Sequence, residues 1–368
     1  MDQIIREIAG KLNAINNKRL LLASTLNACN SSGIVSLKEN IKPIKLEKEL
    51  VVVGVDGGFL KKEYHGAGLI LRRAVAVCFV FDKDFKLKNT NYFPNRRPFP
   101  EPVVTGPELS EQEFNLLAGL KREECELQTA LAAIEKFSPD VLVRDGSIIL
   151  YPGSVVERGS KVHGEYLKVI KLFRELYKKC KEKNILLVGA VEDSRGKRYC
   201  GILKNEILPT LYALENVSKE IKNKVEVNKD VLDITTDTLF LYYLLNFGER
   251  TAALDYSTTS DLPIIEDLAE FRKNIYVSYI KAAEFDRPLR LDFFAEPENL
   301  QETTEKIVSI IFALSNQNRL YSYPSVLIEA DARAKLSEEE IEYFKAAISE
   351  KLGRNPALFE LRRELRPF

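Results

Sequence analysis

The chain of 368 residues sets 54 lysines and arginines against 54 aspartates and glutamates and is 45% apolar, which excludes a disordered chain and suits about two domains or one large α/β unit. The five cysteines, Cys29, Cys78, Cys125, Cys180 and Cys200, are odd in number and form no C-x-x-C pair, which argues against a disulfide framework or zinc ribbon and for a reducing, cytoplasmic compartment. His65 and His163 are the only histidines, so H-E-x-x-H chemistry is excluded and catalysis must lean on carboxylates. Met-Asp-Gln-Ile-Ile-Arg-Glu at the start has no basic and apolar leader, and no run of about 18 apolar residues occurs. A chain neither secreted nor membrane-spanning is expected.

Apolar residues at helical spacing over 2–29 predict one or two leading helices. The β-branched run Leu50 to Val55 predicts a buried strand ending on Asp56-Gly57-Gly58. Strands at Leu69 to Phe81 and Phe85 to Phe93 follow. The stretch Pro94 to Pro107, with five prolines in fourteen residues, reads as a loop outside any sheet. Ser110-Glu111-Gln112-Glu113 has the form of a capping box and opens a helix to about Lys136. Asp140 to Arg144 predicts a strand ending on Asp145-Gly146-Ser147, then a lysine-rich helix at Glu165 to Lys183 and a strand at Ile185 to Val191 ending on Glu192-Asp193. Helices near Ile202 to Leu214, Asp237 to Asn246, Leu300 to Leu314 and Ser337 to Leu352, with strands near Thr251 to Tyr256 and Ile275 to Lys281, complete the chain. This order, with acids at three strand tips, predicts an α/β fold: a ribonuclease H-like mixed sheet flanked by helices, with N- and C-terminal helical extensions.

Hard divalent ions take oxygen ligands, and such ions activate water in phosphodiester cleavage. Asp56, Asp145 and Asp193 can converge on one if their strands are neighbours. On the helix before the fourth strand, Glu126 borders the buried stripe of Leu127, Leu131 and Ile134, while Glu124 lies about 200° around the axis, so only one of the two points inward. A second reading makes Val-Gly-Val-Asp56-Gly-Gly the first phosphate loop of an actin-like sugar kinase or ATPase, with Asp145-Gly146-Ser147 as its second. No G-x-x-x-x-G-K-[ST] is present. A DNA-binding scaffold without activity is a third.

The ordered set Val-Val-Val-Gly-Val-Asp56-Gly-Gly, Asp140-Val-Leu-Val-Arg-Asp145-Gly-Ser, Leu-Leu-Val-Gly-Ala-Val-Glu-Asp193-Ser-Arg, Thr236-Asp237 to Gly248-Glu-Arg250-Thr, Arg290-Leu-Asp292 and Tyr323-Pro-Ser-Val-Leu-Ile-Glu-Ala-Asp331 resembles the NurA nuclease family. The resemblance implies a nuclease domain over 48–340, an N-terminal helical extension over 1–47 and a C-terminal helical tail over 341–368. It further implies a DNA nuclease, typically Mn²⁺-dependent with Mg²⁺ as the other candidate, that acts as an endonuclease on single strands and a 5′ to 3′ exonuclease on single- and double-stranded DNA. A homodimer partnered with a HerA-type hexameric ATPase in end resection and repair is implied too. By this resemblance Asp56 and Asp145 are catalytic metal aspartates, Glu126 the catalytic and metal-binding helix glutamate, Asp193 a further metal-binding acid and Tyr323, the tyrosine of the C-terminal Tyr-Pro motif, a catalytic residue that would orient a phosphate or the water. Two departures stand out: Gly58 where the family commonly has Ser, and Asp331, counted among the catalytic residues, where it often has His.

Neutrality is a sum of unlike regions. Lys161 to Lys204 holds 12 basic residues against 5 acids, whereas Glu108 to Glu126 holds 6 acids against 2 bases. Lys168, Lys171, Arg195, Lys197 and Arg198 are therefore candidate DNA-backbone contacts, with Arg250 beside them and Arg290 open between a phosphate contact and a structural ion pair.

Overall fold

The computed structural model describes residues 2–256 and 263–353. One continuous helix, α1 (Asp2–Ser31), opens the chain, followed by β1 (Glu39–Asn40), β2 (Leu50–Glu63), β3 (Gly68–Phe81), β4 (Leu87–Phe93) and β5 (Glu101–Thr105). Helix α2 (Glu111–Phe137) starts on the expected capping box, the Ser110 hydroxyl accepting from the Glu113 N–H while the Glu113 carboxylate accepts from Ser110 N–H. Then come β6 (Val141–Asp145), α3 (His163–Glu182), β7 (Leu186–Val191), α4 (Arg198–Ile202), α5 (Leu208–Ala213), α6 (Lys219–Asn228) and α7 (Asp237–Leu244). Two short strands, β8 (Glu249–Arg250) and β9 (Leu254–Asp255), α8 (Pro263–Asp267), β10 (Ile275–Ile280), β11 (Leu289–Phe294), α9 (Leu300–Ser315), α10 (Ser325–Ala334) and α11 (Glu338–Lys351) complete it. The expected C-terminal tail begins inside α11, and its residues 354–368 lie outside the described residues. No described helix is long and apolar enough to cross a membrane.

Two compact units are assembled from interleaved stretches. The larger comprises 45–189, 263–274 and 325–353. Its mixed sheet runs β7-β6-β2-β3-β4, with β5 also on β3. β2 and β3 pair antiparallel along all of Leu50–Glu63, while β6 runs parallel to β2 only from Val52↔Val141 to Val55↔Arg144. Successive strand residues face opposite sides of a sheet, and two glycines mark which helix covers which side. A β-carbon on Gly54 would meet Val326 of α10 at 2.8 Å, and one on Gly57 would meet Glu126 of α2 at 2.5 Å. Helices α10 and α2 therefore flank opposite faces of β2, and α3 packs on α2. At the far end of the β2–β3 ribbon, Tyr64, Leu69, Leu71 and Ile341 form a further apolar cluster with Leu60, Phe344 and Ile348 around it.

Two expectations are corrected here. The strand holding Asp56 does not end at Asp56-Gly57-Gly58: Gly57 and Gly58 pair with Ala74 and Arg73 inside the β2–β3 ladder. A phosphate loop at these residues, which the kinase-like reading needs, is thus absent. The proline-rich stretch is not wholly outside the sheet either, for β5 carries Pro102 opposite Leu71. It pairs with β3 alone, and an edge strand tolerates a residue without an N–H.

The smaller unit comprises 2–44, 190–256 and 275–324. Its strands run β1-β8-β10-β11, with β9 also on β10, all antiparallel. Helix α1 buries Leu22, Leu26 and Cys29 and packs on α6 and α7. Asp237, fully buried, caps this core by accepting from Cys200 N–H at 2.9 Å and the Tyr279 hydroxyl at 2.7 Å.

Candidate active site

The site grows from the point where β6 stops. The parallel ladder ends at Val55↔Arg144, and one residue further the register sets Asp56 level with Asp145. Residues paired in a ladder point to the same side. Val55 and Arg144 thus face α2, while Asp56 and Asp145 face α10, the helix that carries Asp331. From the opposite face Glu126 comes over Gly57, its Oε1 only 2.7 Å from where a β-carbon on that residue would stand. Four carboxylates from two strands and two helices converge, and the electrostatics register it. Burial, then Asp145, Glu126 and Asp331, push the Asp56 carboxyl up to about 8 against a single opposing hydrogen bond from Gly57 N–H at 2.6 Å. Burial first, opposed by Arg122 and Arg144 and aided by Glu123 and Asp145, raises Glu126 to about 7.

Glu126 is 0% exposed and held by two arginines. Arg144 Nη2 donates to Oε2 at 2.8 Å and to Glu123 at 2.9 Å. Arg122 Nε lies 2.7 Å from Oε1, yet the approach lacks hydrogen-bond geometry and Oε1 has no hydrogen-bond partner. Glu124 turns the other way, to Arg72 at 2.8 Å and Lys121 at 2.9 Å, which settles the inward position in favour of Glu126. Among the described residues no group of three or more His, Cys, Asp or Glu side chains is placed so that it could hold a metal ion. In chemistry, though not in ready-made placement, the four acids suit a hard divalent cation: all donors are oxygen, they repel one another, and a buried carboxylate oxygen, Glu126 Oε1, has no hydrogen-bond partner.

The family model of the NurA domain matches residues 50–336. The chain belongs to the NurA family. No curated protein matches it at a significant level. Among solved structures it is similar to the NurA nuclease from Sulfolobus solfataricus, at 16% identity over 96% of this chain and 98% of that one with a TM-score of 0.56. A second NurA crystal structure aligns at 12% identity over 97% and 99% of the two chains with a TM-score of 0.50. At these identities the likeness is one of fold, and it runs over nearly the whole chain.

The remaining residues singled out from sequence lie in other surroundings. Tyr323 is buried, and its hydroxyl donates to the Ala190 carbonyl at 3.0 Å. The Asp193 side chain is 72% exposed and paired with Arg287 at 2.7 Å. Two arginines expected on DNA are spent inside the protein. Arg198 donates to the Asp255 and Tyr256 carbonyls at 2.8 and 2.5 Å and stacks 4.1 Å from the Tyr256 ring, and buried Arg250 bridges Glu39 at 2.5 Å and the Thr251 carbonyl at 3.0 Å. Arg290 forms a two-point pair with buried Asp292 at 2.7 and 2.8 Å. Lys168 pairs with Glu165, and Lys197 caps the Asp233 carbonyl, whereas Lys171 and Arg195 are exposed. Sequence reasoning missed Arg122 and Arg144. The second had a signal: an arginine within Val-Leu-Val-Arg, on a strand buried on both faces, demands an acidic partner.

Proposed function

We propose that this NurA-family chain is a metal-dependent DNA nuclease whose centre is Asp56, Asp145, Glu126 and Asp331. The observation that carries the reading is the convergence of these four acids, with Asp56 pushed up to about 8 by burial and by its neighbours. So much negative charge in one partly buried place is stable only with protons or a cation. A divalent cation bound there supplies a lowered pKa for attacking water and neutralises charge developing on the scissile phosphate. Mn²⁺ and Mg²⁺ both suit the oxygen donors, and the resemblance favours Mn²⁺. The chain's own contribution is placement. Gly57 N–H fixes Asp56 Oδ1 and leaves Oδ2 as the atom that holds or releases a proton, Arg144 fixes Glu126 Oε2, and α10 sets Asp331 on the open side. Asp193, with its exposed pair to Arg287, is left out of the proposed ligand set.

The family likeness supports the finer assignments: endonuclease action on single strands, 5′ to 3′ exonuclease action on single- and double-stranded DNA, a homodimer, and work with a HerA-type hexameric ATPase in end resection. Lys168, Lys171, Arg195 and Lys197 are the proposed backbone contacts that remain at the surface. End-labelled single- and double-stranded DNA incubated with the protein and Mn²⁺, Mg²⁺ or chelator, with and without the ATPase, tests all of this. Cleavage confined to the metal-containing reactions is the expected result. Cleavage undiminished in chelator, or none under any condition, overturns it.

A further inference from the structure

The two arginines on Glu126 are not equivalent. Arg144 is 1% exposed and held at three points, Glu126 Oε2, Glu123 Oε2 and the Ser147 carbonyl at 3.1 Å, with its guanidinium 5.1 Å from the Phe173 ring. Arg122 has a partly exposed side chain and reaches only Glu126 Oε1. That oxygen is the one beside Gly57, the residue after Asp56, and it lacks a hydrogen-bond partner.

We infer that Arg122 is a built-in counter-ion which stands in the place a divalent cation takes on Glu126 and yields it when the ion binds, while Arg144 is the fixed strut that orients the carboxylate. The inference rests on the metal-site reading above and goes beyond it. A guanidinium 2.7 Å from Oε1 and a divalent ion on the same oxygen repel each other and cannot share it. The ion would carry twice the charge and would have Asp56, Asp145 and Asp331 as its other candidate ligands, whereas Arg122 has a partly exposed side chain long enough to swing to solvent. Arg144 has no such exit. Its three partners and the stacked ring keep it in place, and it occupies the oxygen turned away from Gly57, so it positions without competing.

The two residues then act on metal affinity with opposite signs. Mn²⁺ binding to the full chain, followed by titration calorimetry and by the electron paramagnetic resonance of free Mn²⁺, reads this without any cleavage assay. Arg122→Gln is expected to tighten Mn²⁺ binding about three- to tenfold, and Arg144→Met to weaken it roughly 10–100-fold. If Arg144→Met fails to fold, Arg144→Lys is used, which keeps the charge, loses the bridge between Glu123 and Glu126, and is likewise expected to weaken binding. Lys121→Gln is the control: it removes the same charge one residue away, from a lysine paired with Glu124 and Glu165, and is expected to leave the affinity within twofold. Unchanged or weaker binding in Arg122→Gln, a gain in Lys121→Gln equal to that in Arg122→Gln, or unchanged binding in Arg144→Lys overturns the inference alone. Failure of the unaltered chain to bind Mn²⁺ at millimolar concentration overturns the metal-site reading and the inference with it.

Discussion

The side chain of Glu126 lies across the α-carbon of Gly57 so closely that a β-carbon on residue 57 would stand 2.5 Å from Cγ and 2.7 Å from Oε1. The glycine after Asp56 is therefore a packing requirement of the glutamate opposite. Gly57→Ala is expected to drive Glu126 outward, to cost about 1–3 kcal/mol of stability in urea unfolding, and to weaken Mn²⁺ binding in the folded protein. Wild-type stability together with wild-type affinity in this variant would show that Glu126 is not where the centre needs it.

Asp56→Asn and Asp145→Asn each keep shape and remove a charged oxygen from the heart of the cluster. Both should lose more than the roughly 10–100-fold in activity that follows from altering a residue behind a ligand, with circular dichroism unchanged. Single-turnover cleavage of labelled single-stranded DNA gives the comparison.

The raised Asp56 carboxyl ties stability to pH. An aspartate titrates near 4 in the unfolded chain and near 8 here, so between those values the folded state holds a proton that the unfolded state has lost. This contribution is fully present below pH about 4 and disappears as the pH rises through about 8. In chelator the melting temperature should fall from pH 5 to pH 8, and Asp56→Asn should flatten the decline and melt several degrees higher at pH 8. A melting temperature that climbs over this interval, with the variant following it, would refute the assignment.

Asp331, on α10, stands at the position for which the NurA resemblance suggests a histidine. Mg²⁺ is held by oxygen almost exclusively, while Mn²⁺ accepts imidazole as well. Asp331→His is expected to depress Mg²⁺-supported cleavage more than Mn²⁺-supported cleavage, read as the ratio of the two rates at saturating metal. A ratio that does not move would mean that residue 331 does not touch the ion.

The surface assignments separate by what each base already holds. Lys171→Gln and Arg195→Gln should each lower the salt dependence of DNA affinity by about one unit of slope. Arg198→Gln, which strips two carbonyls of their donor and a ring of its stacked cation, should instead lower the melting temperature and leave that slope alone.

Much of the fold and half the logic of the site were legible in the sequence. Val51 to Val55 and Val141 to Val143 betray buried strands by β-branching, Ser110 and Glu113 fix a helix start, and the spacing of Leu127, Leu131 and Ile134 sets Glu126 beside the buried stripe and allows only one of Glu124 and Glu126 to point inward. What escaped was set by pairing between distant segments. Nothing local in Asp56-Gly57-Gly58 tells a turn from a strand, since the answer lies in the register with Ala74 and Arg73. Pro102 reads as a breaker until its strand is known to be an edge. Arg198 and Arg250 look like any surface arginine because their partners, the Tyr256 carbonyl and Glu39, lie 58 and 211 residues away.

The acids of the centre do not arrive together during synthesis. Asp56, Glu126 and Asp145 leave the ribosome within one stretch of ninety residues, but α10, which carries Asp331 and covers Gly54, is made only after the chain has laid down nearly all of the smaller unit. A nascent chain paused before residue 325 has a sheet with one face bare and a cluster one carboxylate short. The proposed centre thus gains its last acid only when the final stretch of the larger unit is made, and a chain that stops before residue 325 would lack what α10 brings to it.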